Sequence, residues 1–460
     1  LPTYFKVMLK HFLYIAMLKY IIGALMLMAS SFAFKTSQLQ LTHQWKELDF
    51  QFPTAKERAY AVNNGLFVQG NAAAIDVDIY YGANNVCKTF VTIPRFTTGI
   101  PATLATVAKT RNGSVLVPYP NYSWHSSHGM NCDGLTSVFR VYVDECHRLW
   151  VLDTGRIDTI QYCPPQLVVF DLRNDQLLHR YRFPQSQYKT GVSLFITPVV
   201  DVRDPPPRGK CQDTNVYIAD VTGFGLLVYN LARDTSWRIE NKLFYPNPDY
   251  GTFTIANESF DLMDGLFALS VTPRNPNNRN QRRYLYFHAL ASGTENAVPL
   301  DVIDNESNFE EDVGANPRSF MVIGHRGIQA ISQAIDSQGN LFFGLTEPIA
   351  IAKWNTNTPY RRENIMLASR NSQTLQFASG VKIRRNRQNQ EELWVLTSRF
   401  QKIMTGTKDS NEVNFRIQGC LVDDLLNNRP CSPIKLHEHE PGSISTRGGD
   451  GTNSDNLIFV

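Results

Sequence analysis

The strongest constraint on the fold is a short apolar segment that recurs along the chain. Its clearest copy, residues 148–155 (RLWVLDTG), has the length of a strand and ends in Asp-Thr-Gly, which is typical of a turn. Neighbouring stretches at residues 137–144, 167–172 and 177–182 also have strand length, with turns between them. The four segments together predict one antiparallel sheet of four short strands.

Copies of the same segment recur through the rest of the chain. They lie at residues 113–117, 215–220, 284–289, 340–345 and 392–397. Internal copies of a four-strand unit are typical of a β-propeller, because one such sheet cannot bury both of its faces alone. The six copies predict an all-β fold, a six-bladed β-propeller with four-stranded antiparallel blades. A large β-sandwich with chance similarity is the alternative.

The domain limits follow from the repeats and from local composition. We expect the propeller to occupy residues 34–434, with a short N-terminal extension closing the ring. Strands at residues 74–81 and 88–96 are expected to complete the last blade, because closure removes free strand edges. Residues 55–64 predict one short helix, and the Gly/Ser/Asn-rich residues 435–460 predict a disordered tail.

The first 33 residues are typical of a secretory signal peptide. Lys19 precedes an uncharged run of 15 residues, 20–34, and the run ends in small residues. This run is short for a membrane span, which needs about 20 apolar residues, although a membrane anchor is the alternative. We therefore expect cleavage after Ala33 and a secreted, extracellular product without membrane attachment.

The formal net charge of +3 argues against one class of partner. Three of the positive charges, Lys6, Lys10 and Lys19, lie within the predicted signal peptide, so the remainder is near neutral. A near-neutral chain lacks the basic field that attracts nucleic acid. We expect no nucleic-acid partner.

Seven cysteines fit an oxidising compartment, and none forms a Cys-x-x-Cys pair typical of zinc or thioredoxin sites. The expected disulfides are Cys132–Cys163 and Cys420–Cys431, although the sequence leaves the connectivity open. The odd count leaves at least one cysteine outside intrachain pairs. Four Asn-x-Ser sequons are candidate glycosylation sites: Asn112, Asn121, Asn257 and Asn305.

Common catalytic motifs are missing from the sequence, so a functional site is sought at the axis of the propeller. We find no His-Glu-x-x-His, no Gly-x-Ser-x-Gly and no P-loop. Polar groups near the innermost strands would converge on a concave axial site suited to a small ligand. The candidate ligand-binding residues are Asp201, Asp264, Gln329, Ser332 and Phe343, and the candidate catalytic residue is His288.

Each of these residues also has a purely structural interpretation. Asp264 would cap a turn, His288 would be a core histidine, and Gln329 would bind backbone. No metal ligand set can be assembled from the sequence, and we predict neither a metal nor a cofactor.

Several long motifs resemble the insect Yellow and major royal jelly protein family, and a Yellow-like member in particular. The resemblance runs from about residue 44 to residue 424. The motifs that carry it are WKELDF at 45–50, IDVD at 75–78, FVTIPRF at 90–96, CDGLTSVFRV at 132–141, RLWVLDTG at 148–155 and NVYIAD at 215–220.

The resemblance implies a secreted six-bladed propeller with one of three functions. The first is a role in extracellular melanin and cuticle pigmentation, with a catechol- or indole-derived ligand in the axial cavity and possible association with cuticle or extracellular matrix. The second is dopachrome conversion, an isomerase activity. The third is a biogenic-amine carrier without catalysis. Amine-binding relatives carry a Gln-Thr-like pair and an Asn where this chain has Gln329-Ala330 and Pro348-Ile349, which weakens the third function.

Overall fold

The computed structural model describes residues 38–434 and Leu436, except for residues 112, 276, 277, 279 and 280. The predicted signal peptide at 1–33 lies outside the described residues. So do the sequon residue Asn112 and, apart from Leu436, the predicted tail at 435–460.

The structure confirms the six-bladed β-propeller. Six four-stranded antiparallel sheets form the blades, and two short hairpins lie outside them. Blade 1 contains β2 (Asp76–Tyr81), β3 (Cys87–Thr92), β4 (Leu104–Thr110) and β5 (Gly113–Pro118). Blade 2 contains β6 (Val138–Val143), β7 (Arg148–Asp153), β10 (Gln166–Asp171) and β11 (Gln176–Arg182), and β8 (Arg156–Ile157) and β9 (Ile160–Gln161) form a hairpin between β7 and β10. Blade 3 contains β12 (Phe195–Val202), β13 (Thr214–Asp220), β14 (Gly225–Asn230) and β15 (Thr235–Glu240).

The second half of the ring follows the same order. A hairpin of β16 (Thr252–Ile255) and β17 (Glu258–Asp261) precedes blade 4. Blade 4 contains β18 (Leu266–Val271), β19 (Tyr284–Ala289), β20 (Thr294–Pro299) and β21 (Met321–His325). Blade 5 contains β22 (Ala330–Ile335), β23 (Asn340–Leu345), β24 (Ala350–Asn355) and β25 (Ile365–Arg370). Blade 6 contains β26 (Gly380–Arg385), β27 (Glu391–Ser398) and β28 (Phe415–Leu421), with β1 (Gln40–Trp45) as its fourth strand.

Closure of the ring depends on the N-terminal strand. β1 pairs antiparallel with β28, with Trp45 opposite Phe415, so the first strand of the chain completes the last blade. The first strand of each blade is the innermost, and each contacts the innermost strand of the next blade around the full circle. The predicted N-terminal extension is therefore confirmed as the closing element.

Two expectations about strand position were wrong. Residues 74–81 and 88–96 contain β2 and β3, which begin blade 1 and do not complete the last blade. The segment 113–117, expected to be a copy of the segment at 148–155, lies in β5, the outer strand of blade 1, whereas 148–155 contains β7, the second strand of blade 2. Alternation of apolar residues identifies a strand, but it does not say which place the strand takes in its sheet.

Helices are few and short. The predicted helix is confirmed as Ala55–Asn63, and its first turn is capped by the Thr54 side chain, which accepts a hydrogen bond from the Glu57 amide. Within the described residues the remaining α-helices are Leu300–Ile303, Phe400–Met404 and Val422–Leu426. Within the described part of the chain, none of the helices has the length and apolar character needed to cross a membrane.

Disulfides connect segments around blades 2, 3 and 6. Both expected pairs are present, Cys132–Cys163 and Cys420–Cys431. A third bridge, Cys146–Cys211, links the β6–β7 turn to the segment before β13 and so joins blade 2 to blade 3. Cys87 is buried and is not disulfide-bonded.

Candidate axial ligand site

The innermost strands enclose a cavity on the axis of the ring. The cavity has a volume of about 550 Å³ and is lined by residues from β2, β6, β12, β18, β22 and β26. The lining residues lie from the middle of these strands to their C-terminal ends, so the cavity opens on the face where the inner strands end.

An apolar cluster occupies the axis near the beginning of the inner strands. Every blade contributes a buried side chain to this cluster, and all six side chains are at most 8 % exposed. They are Ile75, Phe139, Ile196, Phe267, Ile331 and Phe377. The hairpin β16–β17 and the helix Phe400–Met404 pack on the same side, with Phe400 stacked on Phe377 at 4.5 Å between ring centroids. The axial cavity is therefore closed at the end where the inner strands begin.

Arg140 lies at the inner end of the cavity and is only 3 % exposed. Its Nη1 donates to Ser332 Oγ at 3.0 Å and, more weakly, to Thr197 Oγ1 at 3.4 Å. The guanidinium carbon lies 4.5 Å from the centroid of the Phe267 ring, which is a cation–π contact. Burial lowers the pKa of Arg140 to about 10, so the guanidinium stays protonated at neutral pH.

A buried ion pair lies near Arg140. Lys382 Nζ is 2.9 Å from Asp76 Oδ2, and both side chains are almost fully buried. Asp76 Oδ2 also accepts a hydrogen bond from the Val141 amide, which ties blade 1 to blade 2. Burial raises the pKa of Asp76, and the nearby charges of Lys382 and Arg140 oppose that shift.

Two further ion pairs stiffen the wall of the cavity. Arg384 contacts both carboxylate oxygens of Asp78 at 2.5 Å and stacks 4.4 Å from the centroid of the Tyr142 ring. Arg283 contacts both oxygens of Asp201 at 2.8 Å. Burial alone would raise the pKa of Asp201, but the hydrogen bonds and charge of Arg283 outweigh it and hold that pKa below its ordinary value.

The mouth of the cavity carries groups that are open to water. Glu145 accepts a long hydrogen bond of 3.4 Å from Arg274 Nη2, and its side chain is about half exposed. Loss of solvent in the mouth raises the pKa of Glu145. Tyr80 Oη lies 3.2 Å from His147 Nδ1 at the same mouth. Glu145 and His147 are exposed, whereas Tyr80 and the ion pairs deeper in the wall are buried or half-buried.

The structure brings two of the predicted ligand-binding residues into the cavity wall, Asp201 and Ser332. The carboxylate of Asp201 is already paired with its arginine partners. Ser332 donates to Ser379 O and accepts from Arg140. Phe343 lies on β23, fully buried between blades, and does not line the cavity. Gln329 also lies away from it, where its Nε2 donates to the carbonyls of Tyr250 and Thr252.

His288, the predicted catalytic residue, lies on β19 and is fully buried within blade 4. Its Nδ1 is 3.0 Å from Glu295 Oε2 and its Nε2 is 2.9 Å from Ile331 O. Both ring nitrogens are thus engaged with protein groups, and His288 is separate from the cavity lining.

Asp264 lies two residues before β18, on the face opposite the cavity mouth. The side chain is partly buried, and no hydrogen bond or ion pair to its carboxylate is formed with the described residues. Burial raises its pKa to about 7, because nothing compensates the loss of solvent. The Asp264 carboxyl therefore keeps its proton to a higher pH than an ordinary aspartate does.

The sequence analysis missed Arg140, Asp76 and Lys382. All three are charged residues on inner strands, as in the segments SVFRVYV and GVKIRR, where charged and apolar side chains alternate or mix. A charged side chain at such a position is a usable signal, because the innermost strand of a blade faces the axis on one side. Among the described residues, no group of three or more His, Cys, Asp or Glu side chains is arranged to hold a metal ion.

The fold and the site define a six-bladed propeller with a closed-ended axial pocket. The sequence model of the major royal jelly protein family matches residues 136–431. The chain is 36% identical to "Major royal jelly protein 9" of Apis mellifera over 88% of this chain and 92% of that protein. It is 33% identical to "Dopaminechrome tautomerase" of Drosophila melanogaster, over 86% of this chain and 85% of that protein.

A third relative extends the comparison to the Yellow branch. The chain is 32% identical to "Protein yellow" of Drosophila yakuba over 89% of this chain and 73% of that protein. These matches cover most of both sequences in each pair. The chain therefore belongs to the Yellow and major royal jelly protein family, as its motifs predicted.

Proposed function

We propose that this chain is a secreted protein that binds a small catechol- or indole-derived ligand in its axial cavity and acts in extracellular melanin and cuticle pigmentation. The observation that carries the proposal is the closed-ended cavity of about 550 Å³ formed by all six inner strands. Pockets for small molecules have volumes of about 300–1,000 Å³. The partly exposed rings of Tyr81 and Tyr142 line the wall and offer aromatic surface to a flat ring.

Secretion is supported by the three disulfides, which are typical of oxidising compartments. The sequon residues Asn121, Asn257 and Asn305 are all exposed, so each is accessible to glycosylation. Expression in insect cells tests this part of the proposal. We expect the protein in the medium, beginning after Ala33 and shifted to lower mass by glycosidase. Retention in the cell would contradict it.

Ligand binding is tested by calorimetry with catechol and indole as probes. Ala334 lines the cavity on β22 and is partly exposed to it, so Ala334→Phe fills space that a ligand would occupy. We expect the wild-type protein to bind at least one probe and Ala334→Phe to lose at least 10-fold in affinity. Ala55→Phe, at an exposed helix position, is the matched control and should bind normally. Equal affinity in all three proteins would contradict binding in the cavity.

Dopachrome conversion is the second candidate, and Asp264 favours it. A tautomerase needs a general base near an acidic carbon, and a base works best when its pKa lies near the working pH. Asp264 has a pKa raised to about 7 and a carboxylate without a partner among the described residues. The relative named dopaminechrome tautomerase supports the same reaction class.

A dopachrome decay assay tests the second candidate against a heat-killed control. We expect decay above the control, a rate that falls below pH 7 as Asp264 is protonated, and a loss of at least 10-fold in Asp264→Asn. His288→Ala is a poor probe of catalysis, because it leaves Glu295 buried without its histidine partner. Decay at the control rate would exclude the enzyme while leaving the binding function untouched.

A further inference from the structure

The cavity wall contains six cationic side chains, and five of them have a carboxylate partner. Arg274 pairs with Glu145, Arg283 with Asp201, Lys382 with Asp76, Arg384 with Asp78 and Arg385 with Glu391. Arg140 is the exception: within the described residues no carboxylate lies within ion-pair distance of it, and the nearby Asp76, whose charge acts on Arg140, is paired with Lys382. A buried cation without a paired anion is costly, so this arrangement calls for an explanation.

The hydrogen bonds of the Arg140 guanidinium are only partly satisfied. Nη1 donates to Ser332 and Thr197, whereas Nε is fully buried and has no hydrogen-bond partner among the described residues. Nη2 makes no hydrogen bond to this part of the chain either, and it is not fully buried. The group is nonetheless held in place, because its face rests on the Phe267 ring at 4.5 Å. A rigid guanidinium with a free donor therefore faces the cavity.

We propose that Arg140 is the anion-binding group of the axial cavity, and that the chain selects catechol- or indole-derived ligands that carry a carboxylate. The inference rests on the proposed ligand-binding function and names the chemical class of its ligand. A guanidinium binds a carboxylate through parallel hydrogen bonds, and the interaction is strong where water is excluded. The ring of such a ligand would extend from Arg140 toward the tyrosines of the wall.

The same geometry disfavours cationic ligands. An amine placed at the inner end would approach the positive charge of Arg140, because the nearby carboxylate of Asp76 is already paired with Lys382. Like charges in a water-poor site repel each other strongly. The decarboxylated and aminated members of a catechol or indole series should therefore bind less well than the carboxylated members.

A matched set of stable probes tests the inference on the secreted, full-length protein. Indole-2-carboxylate carries the anion, indole-2-carboxamide has the same shape without the charge, and serotonin carries a cation. We expect calorimetry to give at least 10-fold tighter binding of indole-2-carboxylate than of the carboxamide, with serotonin weakest. This comparison needs no variant, so it stands even if a substitution at Arg140 prevents folding.

Variants then assign the preference to Arg140. Arg140→Met removes the charge and keeps an unbranched side chain of similar length. It should abolish the preference for indole-2-carboxylate without weakening the binding of the carboxamide. Arg140→Lys should restore part of the preference. Arg282→Gln, at an exposed arginine that is paired with Asp301 and does not line the cavity, is the control and should keep the preference in full.

Four results would overturn the inference. Equal binding of carboxylate and carboxamide by the wild-type protein would do so while leaving the proposed function intact. If Arg140→Met still prefers the carboxylate over the carboxamide, Arg140 is excluded as the group that binds the carboxylate. Inorganic phosphate binding as tightly as indole-2-carboxylate would show that the site holds a simple anion and not this ligand class. Failure of all indole and catechol probes to bind would remove the inference and the proposed function together.

Discussion

The carboxyl group of Asp264 makes the stability of the fold depend on pH in a direction opposite to that of most acids. Burial raises its pKa from the ordinary 3.8 to about 7. The folded state therefore holds this proton more tightly than the unfolded state, and stability falls as the pH rises from about 4 to about 7. Asp264→Asn removes the ionisation and should stabilise the protein at high pH.

The size of the effect follows from the two pKa values. One pKa unit corresponds to about 1.4 kcal/mol, so the full shift of roughly 3 units costs the wild-type protein about 4 kcal/mol above pH 7. Because the unfolded carboxyl is already ionised at pH 5, the gain of Asp264→Asn over wild type should grow by about 2.5 kcal/mol between pH 5 and pH 8. Partial exposure of the side chain makes these figures upper estimates.

Urea unfolding of both proteins at pH 5 and pH 8 measures this difference. Asp171→Asn is a control of opposite sign, because hydrogen bonds from Arg173 lower the pKa of Asp171. That substitution should destabilise the protein by a similar amount at pH 5 and pH 8, because the lost stabilisation changes only below about pH 4, toward the lowered pKa. If the difference in the free energy of unfolding between Asp264→Asn and wild type is the same at both pH values, the predicted pH dependence is refuted.

Three further predictions concern the frame of the propeller. Removing the Cys146–Cys211 bridge by serine substitution should cost about 1.5 kcal/mol more in unfolding free energy than removing Cys420–Cys431, since the closed loops span 65 and 11 residues; equal losses in urea unfolding would contradict this. Trp150→Ala should lower the free energy of unfolding by roughly 3–5 kcal/mol in the same assay, because the side chain is fully buried in blade 2 and its Nε1 donates to Asp144. A loss below 1 kcal/mol would be inconsistent with a close-packed blade. Deleting β1 should leave the edge of β28 unpaired and produce aggregation visible by light scattering, whereas a soluble monomer with unchanged melting temperature would argue against closure by this strand.

Sequence patterns were sufficient for the blades because second strands are buried on both faces. The residues of Arg148–Asp153 are all buried between neighbouring blades, and such a strand reads as a continuous apolar run that is easily recognised in each repeat. The place of each strand in the sheet was harder. Gly113–Pro118 carries a similar apolar pattern, yet it is an outer strand with partly exposed side chains.

The site was harder to predict from the sequence than the fold, because it is assembled from strands that are distant in the chain. Arg140 and Ser332 are 192 residues apart and meet only when the ring closes. His288 and Phe343 looked like axial chemistry, but both lie on second strands, which are separated from the axis by the inner strands. Asp201 and Ser332 were placed in the wall because they lie on the inner strands themselves.

A crystal structure of the chain soaked with indole-2-carboxylate would show directly whether the axial cavity binds a carboxylated ligand. We expect density for the probe in the axial cavity, with its carboxylate within hydrogen-bond distance of Arg140 and its ring toward Tyr142. Density for the probe on the opposite face, near Asp264, or an empty cavity at a concentration that saturates binding in calorimetry, would contradict this expectation.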